Sequence, residues 1–140
     1  MQLRQMEIVQ DADKLSVDIQ EVCKSYKTIK EWAYILHDKD DTRPHYHIYL
    51  NFGISSCDTG MVAKWFGVAE NFVNKVKGRK TDMLLYLTHA NDSQKNKHQY
   101  SPSEVIANFD FETEIENSKI IGDFKKYSYA EQLKYIDCLP

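Results

Sequence analysis

His45-Tyr46-His47 runs straight into an apolar stretch, Ile48-Tyr49-Leu50, and lies a few residues after a second cluster, His37-Asp38-Lys39-Asp40. Side chains of an extended strand alternate between faces, so His45 and His47 would share one face and Tyr46 would take the other. Trp32-Ala33-Tyr34-Ile35-Leu36 also reads as a strand and delivers His37 and Asp40 at its end. A hairpin turning through residues 41–44 would hold up to three imidazoles and a carboxylate within reach of one ion. Mixed histidine and carboxylate donors suit Mn2+, Mg2+, Zn2+ or Fe2+, and donor softness alone does not choose among them. A bare HxH pair is more often surface or core than ligand; the addition of His37 and Asp40 favours a metal site.

An ion without an activated nucleophile is half an enzyme, and Tyr86 in Leu84-Leu85-Tyr86-Leu87-Thr88-His89 is the natural partner to consider. On a helix Tyr86 groups with Asp82, Met83 and His89, away from Leu84, Leu87 and Thr88. Residue physics alone favours a core or interface aromatic here, because Tyr86 is one of nine tyrosines.

The elements that must position these residues follow from local pattern. Leu3 to Val9 is short and mixed, as in an edge strand. Leu15, Ile19, Val22 and Tyr26 recur at helical spacing over roughly three turns. Strands are expected over residues 31–37 and 45–52, then a helix through Met61–Phe66 that Gly67 ends in a left-handed conformation. Phe72–Val76 alternates as another strand, and Gly78 breaks it. Thr81 is placed to cap the helix carrying Tyr86, with Asp82 in its first turn. Ser101-Pro102-Ser103-Glu104 carries a capping box with proline at the first helical position, a helix start. Ser128-Tyr129-Ala130-Glu131 repeats the box and opens a last helix. The two central strands are joined too tightly for a parallel crossover. The expected architecture is therefore α+β, a split βαβ arrangement on a central antiparallel sheet flanked by helices.

At 140 residues the chain fits one domain, and its 42% apolar and 28% charged composition is that of an ordinary globular protein. No stretch approaches the roughly 20 apolar residues of a membrane span, and the amino terminus lacks a secretory apolar core. Cys23, Cys57 and Cys138 are widely spaced with no CxxC pair, which suits free thiols in a reducing cytoplasm. The formal charge of −3 conceals a segregated distribution. Lys75, Lys77, Arg79, Lys80, Lys95 and Lys97 face only Asp82 and Asp92 within their stretch, whereas residues 104–116 carry five acids and no base. A local basic surface of that kind can bind phosphates even in an acidic protein, although composition alone favours two solvated faces.

Taken in order, His37-Asp38-Lys39-Asp40, His45-Tyr46-His47, Tyr86-Leu87-Thr88-His89, Lys97-His98-Gln99-Tyr100 and Asn108-Phe109-Asp110 resemble the nuclease domain of rolling-circle plasmid replication initiators of the RepB type, within the HUH endonuclease superfamily. The likeness covers roughly residues 1 to 115. It implies a central antiparallel sheet with flanking helices, His37, Asp40, His45 and His47 as ligands to Mn2+ or Mg2+, and Tyr86 as nucleophile. It further implies site-specific nicking of single-stranded or extruded DNA through a 5′-phosphotyrosine, rejoining at the same site, duplex origin DNA bound nearby, and a host replication machinery that extends the free 3′ end. Arg43, Lys75, Lys77, Arg79 and Lys80 are the expected phosphate contacts. Tyr100 is expected to be structural, while His89 could contact DNA or Tyr86 or be a satisfied structural histidine.

Two departures from the family pattern stand out: the Asp40-to-His45 connection is short, and an oligomerisation domain would begin where this chain ends. Residues 1–120 are thus expected to form the nuclease and origin-binding domain, with residues 121–140 a terminal helix or the start of an oligomerising unit. Competing readings are a non-catalytic nucleic-acid-binding module, a metal-dependent hydrolase of small substrates, and another HUH enzyme such as a transposase or viral initiator.

Overall fold

The computed structural model describes residues 1–125, and the expected helix opening at Ser128 lies outside them, as does Cys138. In chain order the elements are β1 (Gln2–Leu3), β2 (Gln5–Asp11), α1 (Ile19–Ser25), β3 (Glu31–His37), β4 (His45–Asn51), β5 (Cys57–Asp58), α2 (Thr59–Phe66), β6 (Val73–Lys75), α3 (Lys80–Leu87), β7 (Ile106–Ala107) and α4 (Phe111–Lys125). Five strands form one antiparallel sheet in the order β6-β2-β4-β3-β7, and β1 pairs separately with β5. The fold is α+β, a sheet flanked by helices, as the interleaved patterns predict.

Strand alternation divides the sheet into two unlike faces. Met6, Ile8, Trp32, Ile48 and Leu50 point to one side and pack with α1 and α2, including Cys23, Val62 and Phe66. Ala33, Ile35 and Tyr49 point to the other and pack beneath α3 and α4, with Leu84, Leu87 and Phe111. His37, His45 and His47 belong to this second face, because His37 pairs with His45 and Ile35 with His47 across the β3–β4 ladder. The metal-type residues therefore lie under the helix that carries Tyr86.

Several expectations are corrected. The first strand is not an edge: β2 lies between β4 and β6. Its mixed sequence reflects a buried apolar face opposite a partly polar one, Gln5 and Glu7, that borders the site. The first helix spans only Ile19–Ser25, since Asp18 accepts from the Glu21 amide at 3.1 Å and leaves Leu15 outside in extended backbone. The Tyr86 helix starts earlier than Thr81: Arg79 is its cap residue, and Asp82 accepts from the Arg79 amide at 3.3 Å. The Ser101 capping box forms, with the Ser101 amide donating to Glu104 at 2.7 Å. It supports only a three-residue 3-10 turn, Pro102–Glu104, because the chain must extend at once into β7 beside β3. The helix α4, which runs unbroken past position 120, carries no expectation from the sequence; Asp110 caps it by accepting from the Thr113 amide at 3.1 Å and the Thr113 hydroxyl at 2.7 Å.

Gly67 ends α2 as expected, at φ +66°, with its own amide bonded to Lys64 and that of Val68 to Ala63. This paired closure needs a left-handed residue, and glycine takes that conformation without Cβ strain. Cys23 and Cys57 are buried free thiols, and burial pushes Cys23 up to about 12. Among the described residues no helix is long and apolar enough to cross a membrane.

Asn108 fastens the short edge strand β7 to β3. Its side chain accepts from the Trp32 amide at 2.8 Å and donates to the Lys30 carbonyl at 3.0 Å, while its amide bonds the Trp32 carbonyl at 3.1 Å. Asn108→Ala removes both side-chain bonds and strands an amide at the edge of the core. The expected cost is about 1–3 kcal/mol of unfolding free energy, measured by urea denaturation.

Candidate active site

The β3–β4 hairpin converges three imidazoles. Ring centroids of His37 and His47 are 4.3 Å apart, those of His45 and His47 4.9 Å, and those of His37 and His45 5.4 Å. One nitrogen from each lies within 4.8 Å of the others, close enough for the three to share a metal ion. Asp40 joins them: its Oδ2 is 3.5 Å from His37 Nδ1 and 3.6 Å from His45 Nε2. The four residues singled out in the sequence meet in one place.

The remaining ring nitrogens are all engaged with oxygen. His37 Nε2 donates to the Leu87 carbonyl at 2.6 Å, His45 Nδ1 to the Arg43 carbonyl at 2.7 Å, and His47 Nδ1 to Glu7 Oε1 at 3.2 Å. Each bond keeps a proton on the nitrogen that makes it, so that a neutral ring offers its second nitrogen as a lone pair. In His37 that second nitrogen, Nδ1, is buried and has no hydrogen-bond partner. A buried acceptor left empty is costly unless something is meant to occupy it. The donor set, with each imidazole oriented from behind by an oxygen, fits a divalent cation.

Electrostatics point the same way. Burial, reinforced by the neighbouring imidazoles, lowers His37 to about 4 despite the Leu87 carbonyl, and burial also lowers His47. Asp40 is held below the usual carboxylate range: burial opposes ionisation, but the Tyr100 hydrogen bond and three imidazoles outweigh it. Both histidines are thus neutral and the carboxylate charged near neutrality, the protonation states a metal requires.

These shifts predict acid sensitivity. In the unfolded chain His37 takes up a proton near its ordinary 6.5, whereas the folded site resists it down to about 4. The stability contributed is present above pH 6.5 and is lost as the pH falls toward about 4. Urea midpoints of the metal-free protein are expected to drop across that window, and His37→Gln should flatten the decline.

Tyr86 stands beside the cluster on α3. Its ring centroid is 5.3 Å from that of His47, nearly edge-on, and 6.0 Å from that of His89. It lines a cleft of about 560 Å³ together with Asp40, His45, His47 and His89. Burial raises the phenol above its usual range, and the charges of Glu7 and Asp40 raise it further. The other tyrosines near the sheet are committed elsewhere. Tyr46 lies on the opposite face against Tyr34, and Tyr49 is fully buried with its hydroxyl donating to Gln5 at 3.0 Å.

Tyr100 does more than fill space. Its ring stacks on His37 with centroids 4.5 Å apart, and its hydroxyl donates to Asp40 at 2.7 Å while accepting from the Lys39 amide at 3.0 Å. Burial and the Asp40 bond push it up to about 12. His89 is also buried, and it occupies a left-handed backbone, φ +62°, at the end of α3. That position normally takes glycine. A histidine there is held by its Nδ1 bond to the His98 carbonyl at 2.8 Å, and it forms part of the wall behind Asp40, 3.9 Å away.

The expected phosphate contacts divide. Lys75 and Lys77 line a second cleft that shares Tyr86 as its wall, so basic side chains approach the tyrosine from the side away from Asp40. Lys80 does not join them: its ammonium is 2.8 Å from Glu31, 3.8 Å from Glu114, and lies over the Phe109 ring. Arg43 and Arg79 are held through their main chains, the Arg43 carbonyl accepting from His45 and the Arg79 amide donating to Asp82. Lys39 and Lys97, absent from the expected set, line the cleft beside the histidine cluster. Glu7 is absent from the expected site residues, and its own strand does not single it out, since Gln5, Gln10 and Asp11 are polar there too.

The sheet thus presents a histidine-carboxylate cluster beneath a helical tyrosine, with lysines lining the clefts on both sides. Residues 1–114 match the family described as the origin-binding domain of plasmid replication proteins, and the chain belongs to it. A replication protein of Onion yellows phytoplasma (strain OY-M) is 42% identical over 127 aligned positions, an alignment that takes in 79% of this chain. The chain spans 32% of that relative's length. The description of that family is of the part of plasmid replication proteins that binds the origin.

Proposed function

We propose that this domain nicks one strand of plasmid origin DNA and rejoins it, as a metal-dependent HUH endonuclease of the RepB type with Tyr86 as nucleophile. The observation that carries the reading is the placement of Tyr86 against His47, on the wall of the cleft that Asp40, His45 and His47 also line. His37, Asp40, His45 and His47 would hold Mn2+ or Mg2+. The chemistry such an ion supplies when bound is neutralisation of the non-bridging oxygens of the scissile phosphate.

The chain's own groups account for the remainder. Tyr86 Oη attacks phosphorus, forming the P–Oη bond as the P–O3′ bond breaks. The phenolic proton passes through solvent in the open cleft, and the leaving 3′ oxygen takes up one in return. At rest the phenol is protonated, since burial and the Glu7 and Asp40 charges all oppose ionisation. Lys75 and Lys77 on one side and Lys39 and Lys97 on the other would hold the flanking phosphates. Because the phosphotyrosine retains a bond of the same type as the one cleaved, attack by a 3′-hydroxyl reverses the step and seals the strand.

The test is incubation with single-stranded hairpin-loop oligonucleotides from the plasmid's origin plus Mn2+, followed by a denaturing gel. A covalent protein–DNA band that chelator abolishes is expected. DNA binding that is indifferent to chelator, with no covalent band, would identify a non-catalytic binding module instead.

A further inference from the structure

The geometry points to Glu7 as a positioning residue of the metal centre: it fixes the His47 ring through Nδ1 and leaves Nε2 as the nitrogen free to ligate. This rests on the metal-binding part of the proposed function and adds a residue that the HxH and HDKD motifs do not contain.

Glu7 lies on β2, where Val9 is directly opposite His47 and Glu7 opposite Tyr49. Glu7 and His47 are thus diagonal neighbours on one sheet face, a separation that only a long side chain spans. The next pair along repeats the arrangement, with Tyr49 donating to Gln5 at 3.0 Å across the same diagonal. Two successive contacts leaning the same way fix the register of β2 against the site. The Glu7 carboxylate reaches His47 Nδ1 at 3.2 Å, with the histidine side chain only 4% exposed and the glutamate 19% exposed. Water is thereby largely shut out as an alternative partner for that nitrogen.

Either tautomer of a neutral imidazole is accessible in water, and a hydrogen bond from one nitrogen decides which is kept. A carboxylate can only accept, so Glu7 requires the proton on Nδ1. Without it His47 could place its proton on Nε2 or turn its ring, and either change would remove a lone pair from the cluster. His37 and His45 are fixed by main-chain carbonyls, Leu87 and Arg43. His47 alone of the three depends on a side chain, so it alone can be released by substitution.

The experiment has two independent readouts. Two-bond 1H–15N correlation spectra of the metal-free protein at about pH 8, where imidazoles are neutral, report the tautomer of His47. Calorimetric titration with Mn2+ reports affinity. Wild type and Glu7→Gln, whose amide oxygen still accepts, should show the Nδ1–H form. Glu7→Ala and Glu7→Asp, the latter one methylene too short, should show mixed or Nε2–H forms and bind Mn2+ roughly 10–100-fold more weakly. An unchanged tautomer and unchanged affinity in both shortened variants overturns the assignment. Having two such variants keeps the test intact if one fails to fold. A wild-type protein that binds no Mn2+ but shows the Nδ1–H tautomer, lost on shortening Glu7, would sink the metal reading while retaining Glu7 as the residue that orients His47.

Discussion

Tyr86→Phe is expected to eliminate the covalent DNA adduct and to slow strand cleavage by at least about 10³-fold, with binding of the same oligonucleotide nearly unchanged. Removing a nucleophile that acts in concert with other groups costs most of the catalysis those groups provide together, which sets the size of the effect. Phenylalanine preserves the edge-on contacts with His47 and His89 and the wall between the two clefts, so the fold and the DNA path are left intact. Only the oxygen is lost. Among the described residues, the tyrosines nearest the site are poorly placed to substitute for it. Tyr49 is buried at 0% exposure, Tyr46 faces the other side of the sheet, and Tyr100 has its hydroxyl donated to Asp40. The measurement is single-turnover cleavage under Mn2+, resolved on a denaturing gel beside filter binding. A full-strength adduct in Tyr86→Phe would transfer the nucleophile elsewhere and dismantle the proposed chemistry.

The hairpin was legible because its information is local. Strands over 31–37 and 45–52, the second ending one residue sooner at Asn51, and the tight turn between them follow from period-two alternation, and the alternation itself puts His45 and His47 on one face. The helix of Tyr86 was legible for the same reason, down to a cap displaced by only two residues. What escaped is what depends on distant partners. The central position of β2 is set by two neighbours, β4 and β6, of which the strand's own residues give no hint. Glu7 reads as an ordinary surface acid until the ladder places it diagonal to His47. Ser101 to Glu104 satisfies every local requirement for starting a helix, yet pairing of the next residues with β3 ends it after one turn. Among the expected phosphate contacts, Lys80 was indistinguishable in sequence from Lys75 and Lys77, but Glu31 and Glu114 claim it.

His45→Ala is expected to lower divalent-cation affinity sharply and cleavage by about 10³-fold, the several kcal/mol that a metal ion contributes at a phosphoryl centre. His45 is the most informative of the four residues to remove. Its side chain is 14% exposed, against 0% for His37 and 4% for His47, so truncation opens no deep cavity and leaves little buried polar debris. Its one protein hydrogen bond is to the nearby Arg43 carbonyl, which the open turn can resolvate. His37→Ala, in contrast, would orphan the Leu87 carbonyl at the end of the Tyr86 helix and confuse lost ligation with lost folding. The two effects are separated by measuring thermal unfolding with and without Mn2+. A ligand that binds only the folded state raises the midpoint by mass action, so the wild type should shift upward with Mn2+ and His45→Ala should not. Equal midpoints without metal, a shift confined to the wild type and loss of cleavage in the variant would together tie ion to chemistry. Wild-type cleavage surviving in His45→Ala, at any Mn2+ concentration below saturation of the wild type, would mean that the histidine cluster does not hold the catalytic ion.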